Sequence, residues 1–173
     1  MGDKKPIEYA GKEASVSWHG NLCIHIGECG RAEGSLFVGG RKPWCDPDLA
    51  SRDEINEVVG RCPTGALSAS YAGESGAAET AEPHNTVNVS YNGPLFARGE
   101  LQIDAAPGNA PGLNYRAALC RCGASKNKPF CDNSHIEAGF SDYGAIGQSG
   151  EALSEQGGPL SVKTVRNGPL MVS

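Results

Sequence analysis

The sequence predicts a small, loop-rich α+β fold. Of its 173 residues 24 are Gly and 11 are Pro, and only 39% are hydrophobic. Several short stretches alternate apolar and polar side chains with the two-residue period of a β-strand, and another stretch combines a helix cap with apolar residues at helical spacing. A core this small often depends on a bound metal or on covalent cross-links.

The charge and the cysteine content exclude several classes of protein. The formal net charge is −5, and no segment is strongly basic, so the footprint of a nucleic-acid-binding protein is absent. The sequence has no apolar run of about 18 residues and no apolar secretory signal, so we expect no membrane partner. Seven cysteines in such a chain point to metal or redox chemistry in a reducing, cytoplasmic compartment.

The cysteines predict two domains. They fall into two sets, which are Cys23, Cys29, Cys45 and Cys62, and then Cys120, Cys122 and Cys131. Between the sets lies a small, polar segment whose residues 71–86 carry three acidic and no basic side chains. This composition is typical of a linker. We therefore predict a domain over residues 1–70, an acidic linker over 71–86 and a second domain over 87–173.

The first domain contains two predicted strands and a helix. The stretches IEYA (7–10) and ASVSW (14–18) have strand character. Ser51 and Glu54 form a capping box, in which each side chain can hydrogen-bond to the other residue's backbone amide. Apolar residues follow at helical spacing, and Gly60 is expected to end the helix.

The second domain contains a weak internal repeat. Residues 87–99 and 160–173 both consist of a predicted strand, an Asn-Gly-Pro-Leu turn and a second strand. Asn-Gly is a strong signal for a β-hairpin. We expect one sheet built from both hairpins to carry the segment between them. The last strand can pair with another chain, or the hairpins can complete the sheet within one chain.

The segment between the hairpins contains four potential metal ligands. Their spacing is Cys120-x-Cys122-x8-Cys131-x3-His135. Cys131 and His135 lie four residues apart and fall on one face of a helical turn, for which Asp132 is the expected N-cap and Gly139 the expected stop. Four such donors predict a metal site. A structural Cys3His zinc site has the same ligands, although the Cys-x-Cys spacing counts against zinc.

Residues 119–140 resemble the CDGSH iron–sulfur domain of the NEET family, and the resemblance extends back to about residue 87. Beyond the four donors, the matching positions are Ser125, Pro129, Asp132 and Ser134. The resemblance implies a 2Fe–2S cluster, with Cys120 and Cys122 on the inner iron and Cys131 and His135 on the outer iron. It also implies a homodimer with exchanged β-strands. One position departs from the family pattern, because Asn133 stands where Gly is usual. Asn tolerates the left-handed backbone region, so the turn is expected to form.

A histidine ligand has consequences for redox chemistry. Three thiolates and a neutral imidazole leave an oxidised 2Fe–2S cluster one unit less negative than four thiolates do, which raises its reduction potential. Imidazole protonates near neutral pH, and a protonated ring nitrogen cannot bind iron. We therefore expect reduction of the cluster to be coupled to protonation of His135, and acid to promote loss of the cluster.

The first set of cysteines resembles the divergent 4Fe–4S mono-cluster ferredoxins over residues 7–70. The matching motifs are Cys23-x-His25-x3-Cys29, Lys42-Pro43-Trp44 and the stretch from Cys62-Pro63 to Leu67. The resemblance implies a ferredoxin-like domain that binds a cluster through Cys23, Cys29 and Cys62. Three thiolates suit a 3Fe–4S cluster, and a fourth donor would permit 4Fe–4S. The candidates for a fourth donor are His25, which is otherwise a hydrogen-bonded loop residue, and Cys45, which is otherwise a buried thiol. A metal-free, degenerate ferredoxin fold is a further alternative.

Together these motifs predict a two-cluster electron-transfer protein with an outside redox partner. One alternative is storage, sensing or transfer of a labile cluster to an apo-acceptor protein, and another is a zinc-stabilised interaction module. We expect no enzymatic activity, because metal ligation would occupy the Cys131–His135 pair and the sequence has no nucleotide-binding motif. The basic residues of the second domain are expected to form a solvated face; they are Arg98, Arg116, Arg121, Lys126 and Lys128.

Overall fold

A computed structural model describes residues 5–74, 79–148, 150–151 and 157–173. Over these ranges the chain forms nine short strands and three helices, which confirms the α+β class. The strands are β1 (Ile7–Ala10), β2 (Ala14–Trp18), β3 (Leu67–Tyr71), β4 (Thr86–Val89), β5 (Leu95–Arg98), β6 (Glu100–Ile103), β7 (Arg116–Leu119), β8 (Pro159–Thr164) and β9 (Leu170–Val172). The helices are α1 (Glu28–Arg31), α2 (Arg52–Arg61) and α3 (Ser134–Glu137), and 3₁₀ turns cover Pro47–Leu49 and Pro111–Asn114.

The N-terminal half is an antiparallel sheet covered by one helix. Strands β1, β2 and β3 are neighbours in that order, and the two strands expected near the N-terminus are confirmed. Helix α2 packs Ile55, Val58 and Val59 into a core that also contains Val16 and Leu67 from the sheet. Alternate residues of the strands and one face of the helix thus meet, as their apolar periodicity requires.

The capping box of α2 is confirmed, but the predicted end of the helix is wrong. Glu54 N–H donates to the Ser51 hydroxyl, and Ser51 N–H donates to the Glu54 carboxylate. Gly60 lies inside the helix, which ends at Arg61 with Cys62 as the C-cap. Pro63 explains the difference, since a residue before proline is pushed toward extended backbone and Cys62 has φ −65° and ψ 109°.

The C-terminal half contains both predicted hairpins, but in two sheets rather than one. Strands β4, β5 and β7 form an antiparallel sheet, whereas β8 pairs in parallel with β6 and antiparallel with β9. The chain passes from the first sheet to the second at Gly99, which lies between β5 and β6 with φ +137°. A residue with a side chain rarely adopts this backbone conformation. One glycine therefore separates the sheets.

The two halves share one apolar core. Its members are Leu22 and Ala66 from the N-terminal half, and Ala97, Leu101, Ile103, Ala110, Leu113, Ala117, Leu119, Phe130 and Val162 from the C-terminal half. The backbones also meet closely, since a Cβ atom on Gly65 would lie 2.4 Å from the Arg116 carbonyl oxygen. A Cβ atom on Gly112 would lie 2.5 Å from the carbonyl oxygen of Gly65. Only glycine permits this approach.

Arg116 joins the halves from within, so its expected place on a solvated face is wrong. Only 1% of the surface of Arg116 is exposed to solvent. The guanidinium donates to the carbonyl oxygens of Val59 at 2.6 Å and Leu67 at 3.3 Å, and to that of Cys62. It also pairs with the carboxylate of Glu79, whose segment was expected to be a linker. A buried guanidinium needs such acceptors, because an unpaired charge is costly inside a protein.

Within the described residues the longest helix has 10 residues, so none of these helices could cross a membrane.

Candidate metal centres

A short β-ladder positions the C-terminal donors. Strand β7 ends at Leu119, which forms an isolated antiparallel bridge with Phe130. Cys120 N–H donates to the Pro129 carbonyl at 2.7 Å, and Cys131 N–H donates to the Ala118 carbonyl at 2.8 Å. The two ends of the intervening loop are therefore held side by side.

The four C-terminal donors form two close pairs. The Sγ atoms of Cys120 and Cys122 are 3.9 Å apart, and Cys131 Sγ lies 3.5 Å from His135 Nδ1. Two ligands of one tetrahedral metal with bonds of about 2.0 to 2.3 Å lie about 3.3 to 3.8 Å apart. Each pair thus has the spacing for one metal ion. Over the described ranges, no three His, Cys, Asp or Glu side chains are placed to hold a single ion.

The thiol of Cys131 is poorly solvated and lies near the other two. Burial raises its pKa, and the neighbouring Cys120 and Cys122 raise it further through their negative charge. The Asn133 N–H, whose nitrogen lies 3.5 Å from Cys131 Sγ, lowers the pKa of this thiol. A nearby cation would favour the thiolate that iron or zinc binds.

The turn that carries His135 differs from the prediction by one residue. The N-cap of α3 is Asn133 and not Asp132. Asp132 instead uses its carboxylate to accept the Ser134 N–H at 3.0 Å and the Lys126 N–H at 2.8 Å, which ties the loop to the helix. Gly139 has φ +61° just beyond the helix, as expected of a helix-terminating glycine.

Asn133 also makes a contact that the sequence did not predict. Its φ of +68° confirms the left-handed conformation expected at this position. Its side-chain amide donates to the carbonyl oxygen of Ile24 at 3.0 Å, next to Cys23 in the other half of the chain. The departure from Gly at residue 133 was the signal that could have identified this contact.

The N-terminal donors line one small cavity of about 30 Å³. Its lining includes Cys23, His25, Cys29 and Cys62. The Cys23 Sγ and His25 Nδ1 atoms are 4.0 Å apart. Burial raises the pKa of Cys29, and the neighbouring Cys62 and Cys23 raise it further. The three thiols predicted to act together are therefore close enough to interact.

The two candidates for a fourth N-terminal donor differ in their surroundings. His25 is exposed and has φ +56°, an uncommon conformation for a residue with a side chain and one that often occurs at functional sites. Cys45 has 0% exposure and belongs to the core beneath α2. Burial raises the pKa of its thiol to about 12. The structure thus favours a buried thiol at position 45.

Comparison with known proteins agrees with both resemblances, in the predicted order. Residues 9–72 match the family model described as a divergent 4Fe-4S mono-cluster, and residues 92–136 match the one described as an iron-binding zinc finger of CDGSH type. The chain is 39% identical over 59 residues to "Uncharacterized protein YjdI" of Escherichia coli K12 and of strain O157:H7. This region is 34% of the chain and 78% of each relative. No solved structure matches.

Proposed function

The chain belongs to the divergent 4Fe–4S mono-cluster family through residues 9–72 and carries a CDGSH domain at 92–136, and from this we propose that it transfers electrons by means of two clusters. Cys120, Cys122, Cys131 and His135 would hold a 2Fe–2S cluster. When bound, the clusters would supply one-electron oxidation and reduction. The observation that carries the proposal is the arrangement of these four donors in pairs, with separations of 3.9 and 3.5 Å.

The donors fit this cofactor in chemistry as well as in spacing. Thiolates and imidazole are the protein ligands of 2Fe–2S centres, and each iron of such a centre takes two of them. The two pairs correspond to this division. A single zinc ion would require all four donors around one point.

Cys23, Cys29 and Cys62 would hold the second cluster. Three thiolates suit 3Fe–4S, whereas His25 at the same cavity would supply the fourth donor of a 4Fe–4S cluster. We assign no role to Cys45 in this site, since it lies in the hydrophobic core.

The surface beside Cys120 suits a redox protein partner. Cys120 lines a cleft of about 420 Å³ together with Arg121 and Lys128. Lys128 is exposed, whereas Arg121 is held by the Ser90 carbonyl oxygen and by Asp142. A partner protein with an acidic patch would be attracted to this cleft, because opposite charges guide two proteins toward each other. We propose that the protein acts as a carrier and that the chemistry belongs to its partners.

Delivery of the 2Fe–2S cluster to an apo-acceptor is a second candidate. In this role the cluster is the transferred group. The observation that favours it is the position of His135 in the four-residue helix α3. His135 is half-buried there, and the next residue, Ile136, is 69% exposed. A short helix at the surface opens readily. Because imidazole binds iron only in its neutral form, acid would then favour release of this ligand.

Anaerobic purification with iron and acid-labile sulfide analysis tests the proposal, with EPR spectra before and after reduction by dithionite. We expect both iron and sulfide, and two separate paramagnetic species. Zinc without sulfide would overturn the assignment. Incubation with an apo-ferredoxin then separates the candidates, since a carrier keeps its clusters and a donor transfers them.

A further inference from the structure

The loop that carries the first N-terminal cysteine lies directly against the turn that carries His135. Asn133 Nδ2 donates to the Ile24 carbonyl oxygen at 3.0 Å. Nearby, Asn127 Nδ2 donates to the Asn21 carbonyl oxygen at 2.8 Å. Two asparagines from the C-terminal half therefore bind the backbone on either side of Leu22 and Cys23.

The contact is also apolar and shielded from water. Ile24 is 5% exposed and forms a buried cluster with Ala118 and Cys131, against which Phe96 packs. Cys131 itself is 3% exposed. Water competes little for a hydrogen bond beside such a cluster. If the bond from Asn133 were lost, the Ile24 carbonyl oxygen would be left poorly solvated.

Asn133 connects the two donor sets, one through its backbone N–H and the other through its side-chain amide. Its backbone N–H points to Cys131 Sγ at 3.5 Å, and its side chain reaches Ile24, which follows Cys23. The backbone has φ +68°, a conformation that Gly and Asn adopt more readily than other residues. Gly would allow the same turn but has no side chain to bridge the halves.

We propose that Asn133 is a positioning residue that couples retention of the cluster at one site to occupancy of the other. The inference rests on the proposed function only in requiring that both sites be loaded. Ligation by Cys23 and Cys29 orders their loop and so presents the Ile24 carbonyl to Asn133. That hydrogen bond holds the turn from Cys131 to His135 closed, and the turn must open before its donors separate.

Coupling of this kind is reciprocal. If occupancy of the N-terminal site stabilises the C-terminal cluster, occupancy of the C-terminal site stabilises the N-terminal cluster by the same free energy. We expect this stabilisation to appear as slower release from both sites, because both act through the same contact. A residue with a purely structural role would instead affect each site independently of the other.

Release of each cluster from the purified, fully loaded chain tests the proposal. The protein is incubated anaerobically with an excess of an iron chelator. Samples are taken over time, and the EPR signal of each cluster is recorded before and after reduction. In Asn133→Gly we expect both clusters to be lost about three- to tenfold faster than in the unmodified chain. Asn167→Gly is the matched control, since Asn167 also has positive φ, at +53°, but lies in the turn between β8 and β9. We expect it to leave both rates unchanged.

Two further variants separate coupling from general weakening. Asn133→Asp keeps the size of the side chain but removes the amide donor, so it should release both clusters at least as fast as Asn133→Gly. In a Cys29→Ser background, which cannot assemble the N-terminal cluster, Asn133→Gly should change release from the C-terminal site less than twofold. Unmodified rates in Asn133→Gly or in Asn133→Asp, or a full effect that persists in the Cys29→Ser background, would overturn the proposal. A preparation without iron and sulfide would instead overturn the proposed function.

Discussion

Arg116 of β7 donates a hydrogen bond to the carbonyl oxygen of Cys62, a proposed cluster ligand in the other half of the chain. The same guanidinium binds the Val59 carbonyl in the last turn of α2. The end of that helix, and with it the position of Cys62, is therefore fixed by a residue of the CDGSH half.

We expect Arg116→Ala to lower the free energy of unfolding by about 3 to 5 kcal/mol, because three carbonyl oxygens and the Glu79 carboxylate lose a buried cationic partner. Chemical denaturation measures the loss. Arg116→Lys keeps the charge but not the planar fork of donors, so its loss should be intermediate. A change below about 1 kcal/mol in Arg116→Ala would contradict the structural role.

Gly65→Ala should destabilise the chain far more than Gly73→Ala. Both glycines have positive φ, at +69° and +77°, so both substitutions carry a similar backbone strain of about 1 kcal/mol. A Cβ atom at residue 65 would in addition clash with the Arg116 carbonyl oxygen at 2.4 Å, whereas nothing lies within 4 Å of one at residue 73. Thermal unfolding of the two variants compares these costs directly. Equal melting temperatures would show that the halves do not meet at Gly65.

Cys45→Ala and Cys29→Ala should differ in their effect on iron content. We expect Cys45→Ala to retain all its iron and to lose about 1 kcal/mol of stability, since it leaves a small cavity in the core. Cys29→Ala should lose the iron of the N-terminal site. Metal analysis and denaturation of both proteins test the pair, and loss of iron from Cys45→Ala would identify Cys45 as a ligand.

His135→Cys should retain the 2Fe–2S cluster at acidic pH and lower its reduction potential. A thiolate adds negative charge, which disfavours an added electron by on the order of 100 mV. The replacement also removes the imidazole, a ligand that binds iron only in its neutral form. In the unmodified chain we expect cluster loss to accelerate as the pH falls. Visible absorbance over time at pH 5 to 8 and an EPR-monitored redox titration give the two results. Unchanged values for both would remove His135 from the ligand set.

Local sequence patterns predicted the elements that depend on neighbouring residues. The strands at 7–10 and 14–18, the capping box at Ser51 and both Asn-Gly hairpins are present. The close approach of Cys131 Sγ to His135 Nδ1 agrees with their spacing, although Cys131 precedes helix α3 and the two residues do not share a turn of it. Their role as metal ligands stays a prediction. Each of these features is encoded within a few positions.

Contacts between distant parts of the chain could not be predicted in this way. The parallel pairing of β6 with β8 joins residues about 60 positions apart, and no turn motif in the sequence predicts it. Arg116 has the same local appearance as a surface arginine, although its acceptors lie 37 to 57 residues away. The bridge from Asn133 to Ile24 spans 109 positions. In each case the partner is determined by tertiary packing and not by local propensity.

Because the two halves share an apolar core, we expect them to stay together even without a continuous chain between Tyr71 and Thr86. Leu22, Leu113 and Phe130 would remain packed if the chain were supplied as two polypeptides, such as 1–74 and 79–173. We expect such fragments to reassemble into one particle when produced together, and each to be poorly soluble alone because it would expose its share of this interface. The two modules share one core, and we therefore expect them to fold as one unit that carries both proposed cluster sites.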